Sequence, residues 1–266
     1  GGGGNKRGQA IVSIFPDGSV EAKMGTQDIG VGTRTHVCAV VAEELGLEYT
    51  DITPKIGESD FPWANNSGGS TTAPTVAPTM KLATEKAKAE LAKIVAENLE
   101  TTPDKISFKE KNVSVEGESD KSMSWKKACA LLDGQPISVQ EGWAEGLSSR
   151  GTAGCQFAEV EVDTETGQVQ LIKMTAVQDC GLVLNMLTAV NQVQGAIIGE
   201  MGYAMFENRL LDEESGIMVN PDYENYKIPG PLEMPEFDIT MFDESHRGVI
   251  GLGEPPAIPG IGAIAN

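Results

Sequence analysis

The chain of 266 residues is 40% hydrophobic and 22% charged, which is enough for one large domain or two smaller ones with a real core. Its net charge of −19 argues against binding to nucleic acid or to an anionic membrane surface, because both favour lysine and arginine. No apolar run reaches about 18 residues without glycine or proline, so we expect no membrane span.

The first half opens with a predicted β-hairpin. Alternating apolar residues over Gln9–Phe15 and Val20–Met24 flank the turn residues Pro16, Asp17 and Gly18. A glycine-rich loop and then a helix follow. The valines and the leucine of HVCAVVAEELG fall at helical spacing, and Gly46 is the predicted C-cap.

The middle of the chain is predicted to be mainly helical. A long helix is expected over Val76–Leu99, where lysine and glutamate alternate as on an exposed helix face. Pro74 suits the first turn of a helix and follows a second glycine-rich loop. A hairpin over Ile106–Val115 and a short helix over Ser124–Leu132 complete this region.

The second half repeats the pattern of the first. Residues Ala158–Asp163 and Val169–Val177 form a predicted hairpin, and a helix with Thr188 as its N-cap follows the next loop. Gln192 and two glycines, at positions 195 and 199, lie near one face of that helix. A glycine-lined face lets a ligand approach closely, and a neighbouring helix is the alternative.

These elements predict an α+β fold with two similar hairpin-plus-helix subdomains, 1–146 and 147–266. The boundary is expected within Gln140–Thr152. We predict no strand–helix–strand unit around DIGVGT, although this segment resembles part of a dinucleotide-binding fingerprint.

Cysteine and histidine form no recognisable metal-binding motif. The four cysteines include no CxxC pair, which excludes a ferredoxin-like cluster motif and a cysteine-rich zinc site within this chain. We interpret them as isolated buried thiols. They are Cys38, Cys129, Cys155 and Cys180. Because His36 and His246 lie far apart, we expect no metal held by protein side chains.

Two glycine-rich loops next to helix starts are candidates for phosphate binding. They are GTQDIGVGTRT, residues 25–35, and NNSGGSTTAPT, residues 65–75. Such loops present backbone N–H groups and hydroxyls that suit phosphate oxygens, and plain tight turns are the alternative. Two of them in one chain favour a ligand with a pyrophosphate.

A third segment, GLGEPP near the end of the chain, contains an isolated carboxylate. From Val249 onward every residue is apolar, glycine or proline except Glu254 and Asn266. An ionised glutamate is costly to bury without a partner. Glu254 is therefore either an exposed residue on a proline-rich loop or a general base held in a mostly apolar pocket.

Seven segments occur in an order that is far more specific than any one of them. They are GTQDIGVGTRT with AEELG, GESDFPWANNSGGSTTAPT, FAEVEVDTETGQV, QDCGLVLN, NQVQGAIIGEMGYAMFE, NPDYENYKIPG and GLGEPPAIPGIGAIAN. In this order they resemble the molybdopterin-binding large subunit of the xanthine dehydrogenase and aldehyde oxidoreductase family, in its C-terminal portion.

The resemblance implies a molybdenum cofactor held by the dithiolene of its pterin, with Glu254 as the active-site base. It also implies three sets of cofactor contacts. They are Gly30, Val31, Gly32, Thr33, Arg34 and Thr35 in the first loop, Ser67, Gly68, Gly69, Ser70, Thr71 and Thr72 in the second, and Gln192 with Gly253. Two positions depart from the pattern, since many members have glutamine in place of Val31 and proline in place of Met186.

The function implied by the resemblance is oxidation of an aldehyde or N-heteroaromatic substrate with water as the oxygen source. Electrons would leave through iron–sulfur clusters and FAD on partner subunits, and the pterin is expected in its cytosine dinucleotide form. The family's large subunit has a substantial N-terminal part, so we expect a further segment or subunit to complete the site. We expect a cytoplasmic location, with the periplasm as the alternative.

Two other functions are weighed against this one. A nucleotide-dependent transferase would need basic residues on the phosphates and Mg²⁺-binding acids, and Arg34 alone offers little support. The other is a structural or assembly subunit with a vestigial cofactor site, and the GLGEPP setting of Glu254 argues against it.

Overall fold

The computed structural model describes residues 7–242 and 244–266, which form two compact units. The first unit runs to Ser149 and also includes Arg247–Gly251, and the second comprises Arg150–His246 and Leu252–Asn266. The predicted division after residue 146 lies close to the crossing between Ser149 and Arg150, and it stays a prediction of domain organisation.

The first unit is built on a four-stranded sheet and a separate three-stranded meander. Its strands are β1 (Gln9–Ile14), β2 (Val20–Met24), β3 (Ile52–Ile56), β4 (Ile106–Lys109), β5 (Asn112–Val115), β6 (Glu118–Ser124) and β7 (Ile137–Gly142). Its helices are α1 (Thr33–Leu45), α2 (Thr72–Asn98) and α3 (Trp125–Ala130), with 3-10 turns at Tyr49–Asp51 and Pro103–Lys105. The four-stranded sheet has the order β3-β2-β1-β7, and β4-β5-β6 is antiparallel throughout.

The second unit has one three-stranded sheet and two helices. The strands are β8 (Ala153–Val162), β9 (Val169–Asp179) and β10 (Glu236–Phe242), in the order β10-β9-β8. The helices are α4 (Met186–Met201) and α5 (Gly260–Ala265), with a π-helical turn at Gly202–Phe206 and 3-10 turns at Pro231–Glu233 and Pro255–Ala257. The buried hydrophobic cluster of this unit comes from β9 and α4.

Both units use the same strand–strand–helix–strand arrangement. The predicted hairpins are confirmed, because β1–β2 and β8–β9 are antiparallel pairs. In each unit the following helix crosses over to a third strand that lies parallel to the second, as β2–α1–β3 and β9–α4–β10. The expectation that no strand–helix–strand unit surrounds DIGVGT is therefore wrong. The third strands are short, and one contains Pro54, which weakens their signal in the sequence.

Helix α2 begins at Thr72, four residues before its predicted start, and continues through Pro78. Proline has no N–H to donate to the carbonyl of residue 74, one helical turn earlier. The indole Nε1–H of Trp143 donates to that Pro74 carbonyl at 2.9 Å instead. A tertiary contact thus satisfies the acceptor that Pro78 leaves open. As predicted, Pro74 lies in the first turn of the helix.

Three smaller predictions need correction. The N-cap of α4 is Asn185, whose Oδ1 accepts the N–H of Thr188 at 3.3 Å, so Thr188 lies inside the first turn. Strand β6 follows the predicted hairpin, and β7 occupies part of the expected boundary region. Cys155 is exposed because it lies on β8, while the other three cysteines are buried. The predicted C-cap at Gly46 is confirmed, with φ of 65° and its N–H directed to the carbonyls of Ala42 and Glu43.

Of the helices in the described residues, none combines the length and the apolar composition that crossing a membrane requires.

Candidate cofactor-binding and active-site loops

The loop before α1 is shaped by the carboxylate of Asp28. Its Oδ1 accepts the N–H groups of Gly30 at 3.1 Å and Gly32 at 3.2 Å, and its Oδ2 accepts the N–H of Arg34 at 3.2 Å. The Arg34 guanidinium lies 3.6 Å from the same carboxylate. Burial acts to raise the pKa of Asp28, but these N–H donors outweigh it and hold the pKa below 3.8. The loop therefore carries its own anion at the positive end of α1.

Residues Gly30–Thr35 of this loop differ in their exposure. Gly30, Arg34 and Thr35 are exposed, whereas Val31 and Gly32 are half-buried. Thr33 is fully buried, and its Oγ1 has no hydrogen-bond partner within the described part of the chain. Three of the backbone N–H groups that the sequence offered as phosphate donors, those of Gly30, Gly32 and Arg34, are bound to Asp28 instead. What remains for a ligand is the exposed outer surface of the loop.

The loop before α2 is arranged differently. Helix α2 has no side-chain cap and no acidic residue in its first turn, although it is 27 residues long. Gly69 has φ of 61°, and a Cβ placed on it would meet nothing within 4 Å. The N–H groups at the start of a long helix without a side-chain cap, together with the hydroxyl groups of its loop, can donate hydrogen bonds to an anionic group.

The hydroxyl groups of this second loop are partly used within the first unit. Ser67 donates its Oγ–H to the carbonyl of Gln27 at 3.1 Å, and its N–H binds Gln27 Oε1 at 2.9 Å. These two bonds join the second loop to the first. Thr71 donates to the carbonyl of Gly68 at 2.9 Å. Ser70 and Thr71 are buried, whereas Gly68 and Gly69 are exposed and Thr72 is half-buried.

The segment Arg247–Gly251 reaches the second loop within the first unit. Val249 donates its N–H to the carbonyl of Leu147 at 3.1 Å and accepts from Ser148 Oγ at 2.6 Å. A Cβ built on Gly251 would lie 1.7 Å from the carbonyl oxygen of Ser70. Only glycine allows the two backbones to approach this closely. The start of the GLGEPP segment is thus fixed against the loop that precedes α2.

Glu254 belongs to the second unit and lies on a proline-stiffened turn. Its side chain is exposed, and its carbonyl accepts the N–H of Ala257 at 3.0 Å. Pro255 and Pro256 follow as the first two residues of the 3-10 turn. Within this chain, the exposed position agrees with the first alternative from the sequence, an exposed residue on a proline-rich loop. The stiff, proline-rich presentation is what a positioned base also needs.

Gln192 and Gly253, both predicted as cofactor contacts, meet in the second unit. Gln192 Nε2 donates to the carbonyl of Gly253 at 2.6 Å, so helix α4 holds the residue next to Glu254. Gly195 and Gly199 are exposed on the same helix, and a Cβ on either would meet nothing within 4 Å. The neighbouring helix considered as an alternative does not cover this face in the described chain.

Sequence reasoning missed two residues that shape these loops. Asp28 carries only a weak signal, because it lies four residues before the N-cap Gly32 and not at the position where a capping aspartate is expected. Gln156 of β8 has no recognisable signal in the sequence. Its contact with the loop appears only in the structure, where its Nε2 donates to the carbonyl of Pro256 at 2.6 Å. In the described residues, no group of three or more His, Cys, Asp or Glu side chains is arranged to hold a metal ion.

A family model for the molybdopterin cofactor-binding domain matches residues 1–235. The chain belongs to this family. Glu254 lies beyond the matched residues, so its role does not follow from the match.

Curated relatives of the family include the carbon monoxide dehydrogenase large chain of Afipia carboxidovorans, 27% identical over 97% of this chain and 33% of the relative. The aldehyde oxidoreductase molybdenum-binding subunit PaoC of Escherichia coli is 28% identical over 96% of this chain and 34% of its own length. This chain therefore spans about a third of the relatives that it matches.

Solved structures share the fold. Quinoline 2-oxidoreductase from Pseudomonas putida superposes with a TM-score of 0.86 at 21% identity, over 97% of this chain and 34% of that one. Carbon monoxide dehydrogenase from Oligotropha carboxidovorans superposes with a TM-score of 0.85 at 25% identity, over 96% of this chain and 33% of that one. The expected α+β fold of the molybdenum-cofactor-binding type is confirmed.

Proposed function

We propose that this chain is the cofactor-binding part of a molybdenum-dependent hydroxylase that oxidises an aldehyde or N-heteroaromatic substrate with water as the oxygen source. The family match supports cofactor binding, and the names of the relatives include an aldehyde oxidoreductase and a quinoline oxidoreductase. The observation that carries the catalytic part is Glu254, an exposed carboxylate on a stiff loop in an apolar segment.

The anionic end of the cofactor fits the loop before α2 better than the loop before α1. Three N–H groups of the first loop already bind Asp28, whereas α2 has neither a side-chain cap nor an acid in its first turn. We assign Ser67–Thr72 to the phosphate and nucleotide end, which we expect to be cytosine. The exposed surface of Gly30–Thr35 would then contact a less charged part of the cofactor.

When bound, the cofactor supplies the two-electron redox centre of the reaction. Glu254 acts as the general base, and its carboxylate accepts a proton from the water-derived oxygen nucleophile. Gln192 orients the loop through Gly253, and its helix face with Gly195 and Gly199 allows close approach of a ligand. We propose that electrons leave through iron–sulfur and flavin partners and that a further molybdopterin-binding segment or subunit completes the substrate pocket.

The test is Glu254→Gln in the complete enzyme, with molybdenum content and turnover measured together. The amide keeps the shape but cannot accept the proton, so kcat should fall by at least about 10²-fold with about one molybdenum retained per copy. Glu213→Gln, a change at an exposed acid outside these loops, is the matched control and should leave kcat unchanged. Absence of molybdenum from the parent enzyme would favour the assembly-subunit or transferase alternative instead.

A further inference from the structure

The backbone on both sides of Glu254 is held by glutamine side chains. Gln192 of α4 donates to the carbonyl of Gly253 at 2.6 Å, one residue before it. Gln156 of β8 donates to the carbonyl of Pro256 at 2.6 Å, two residues after it. Helix and strand, which are rigid elements, therefore each supply one amide donor to the loop.

The loop needs donors from outside because it has few of its own. Pro255 and Pro256 lack N–H groups, so this part of the loop cannot donate to a neighbouring element. The N–H groups that follow are used within the turn, from Ala257 to the Glu254 carbonyl at 3.0 Å and from Ile258 to the Pro255 carbonyl at 3.3 Å. From Pro255 to Ile258, main-chain hydrogen bonds to the rest of the second unit must therefore use carbonyls as acceptors.

Gln156 supplies one of these donors to the loop, but its buried amide oxygen lowers the stability of the fold. Its Oε1 is buried and has no hydrogen-bond partner among the described residues. An unpaired buried acceptor is destabilising, and an apolar side chain of the same size would avoid that cost. The same Oε1 lies 3.3 Å from the position of a Cβ on Gly260, so the amide sits between the 3-10 turn and the start of α5. The Nε2–H donated to Pro256 is the interaction that an apolar residue could not replace.

We infer that Gln156 is a positioning residue for Glu254. Together with Gln192, it fixes the position and direction of the Glu254 carboxylate. The inference rests on the proposed function, because it presupposes that this carboxylate is the base. Base catalysis requires the carboxylate within hydrogen-bond reach of its proton, and a misplacement of about 1 Å is enough to cost up to about 10²-fold in rate.

The first measurement is turnover of the complete enzyme carrying Gln156→Leu, with Gln156→Glu as a second variant that keeps the shape but lacks the donor at neutral pH. For both we expect kcat to fall by about 10-fold to 10²-fold, with molybdenum content and KM unchanged. Gln178→Leu is the matched control, because Gln178 also donates from its amide to a main-chain carbonyl, that of Ala153, but does not touch the loop. It should leave kcat unchanged.

The second measurement is amide hydrogen exchange of the peptide containing Ala257 and Ile258, which requires no turnover. Exchange should be faster in both Gln156 variants and unchanged in Gln178→Leu. In the Glu254→Gln background, Gln156→Leu should cause no further loss of kcat, since the group that it positions is gone.

Parent-like kcat and exchange in the Gln156 variants, together with an inactive Glu254→Gln enzyme, would overturn the positioning role. Losses that multiply in the double variant would also overturn it, because they indicate a general structural effect. A fully active Glu254→Gln enzyme would contradict the proposed function itself.

Discussion

The two units share a strand–strand–helix–strand arrangement but differ in how many apolar residues they bury. In the first unit, the sheet β3-β2-β1-β7 and helices α1 to α3 contribute to a continuous core that includes Met80 and Leu91 of α2. In the second, the buried core comprises six residues in the described chain. They are Leu171, Met174, Ala176, Val193, Ile197 and Met201. The same order of strands and helix therefore does not give the same number of buried apolar residues.

The second unit correspondingly leaves large apolar side chains exposed. Strand β8 exposes Phe157 at 64% and Val162 at 49%, and β10 exposes Phe242 at 54%. In the first unit, the strands of the four-stranded sheet keep their large apolar residues buried, except for the half-buried Ile11. The first unit therefore buries its large apolar side chains more completely than the second does.

The largest expected losses of stability come from creating a cavity of the same kind in each of the two cores. Met80→Ala and Met174→Ala each remove a side chain that is 0% exposed and should each cost about 2–5 kcal/mol. All three tryptophans belong to the first unit, so their fluorescence reports that unit, whereas far-ultraviolet circular dichroism reports both. Met80→Ala should lower the fluorescence midpoint, and Met174→Ala should lower only the dichroism midpoint.

Coincident fluorescence and dichroism transitions in both methionine variants would show that the chain unfolds as one cooperative body. The difference drawn between the two cores would then have no thermodynamic consequence.

A smaller loss is expected when the close backbone approach in the first unit is blocked. Gly251→Ala places a Cβ 1.7 Å from the Ser70 carbonyl oxygen, and no side-chain rotation relieves a clash with backbone. The free energy of unfolding should fall by about 1–3 kcal/mol in urea titrations followed by fluorescence. Gly199→Ala in the second unit is the control. It meets nothing within 4 Å and should be neutral or stabilising, by up to about 1 kcal/mol. Equal stability of the two variants would contradict the close packing at Gly251.

The smallest effects are expected at the two helix starts. Asp28→Asn removes the charge of Asp28 and replaces one of its two acceptor oxygens with an NH2 group, and Asn185→Ala removes the acceptor at the N-cap of α4. Each change should cost about 0.5–2 kcal/mol at neutral pH. Because folding lowers the pKa of Asp28, its contribution is fully present above its unfolded pKa near 3.8 and is lost as pH falls through the folded value. The difference between parent and Asp28→Asn should therefore shrink in acid, and the Asn185 difference should not.

A stability difference for Asp28→Asn that stays constant down to acid pH would show that the charge of Asp28 is not what holds the loop. The first helix start would then resemble the second, which relies on a neutral amide.

Local sequence patterns determined much of the fold. The hairpins were predictable because period-two alternation and turn residues are local features, and Gly46 because a left-handed C-cap favours glycine. The order of the cofactor-family motifs indicated the family that the family model then showed. The hairpins and the C-cap depend on residues that are close together in the chain, whereas the motif order extends over most of its length.

Tertiary structure decided the features that join distant residues. Strands β3 and β10 exist because each pairs in parallel with a strand on the other side of a crossover helix, and such pairing leaves little local pattern. Pro78 is tolerated in α2 because Trp143, 65 positions later, donates to the carbonyl that it leaves open. Gln156 meets Pro256 across 100 positions. A hydrogen bond of that kind depends on where two elements pack, and no spacing in the sequence encodes it.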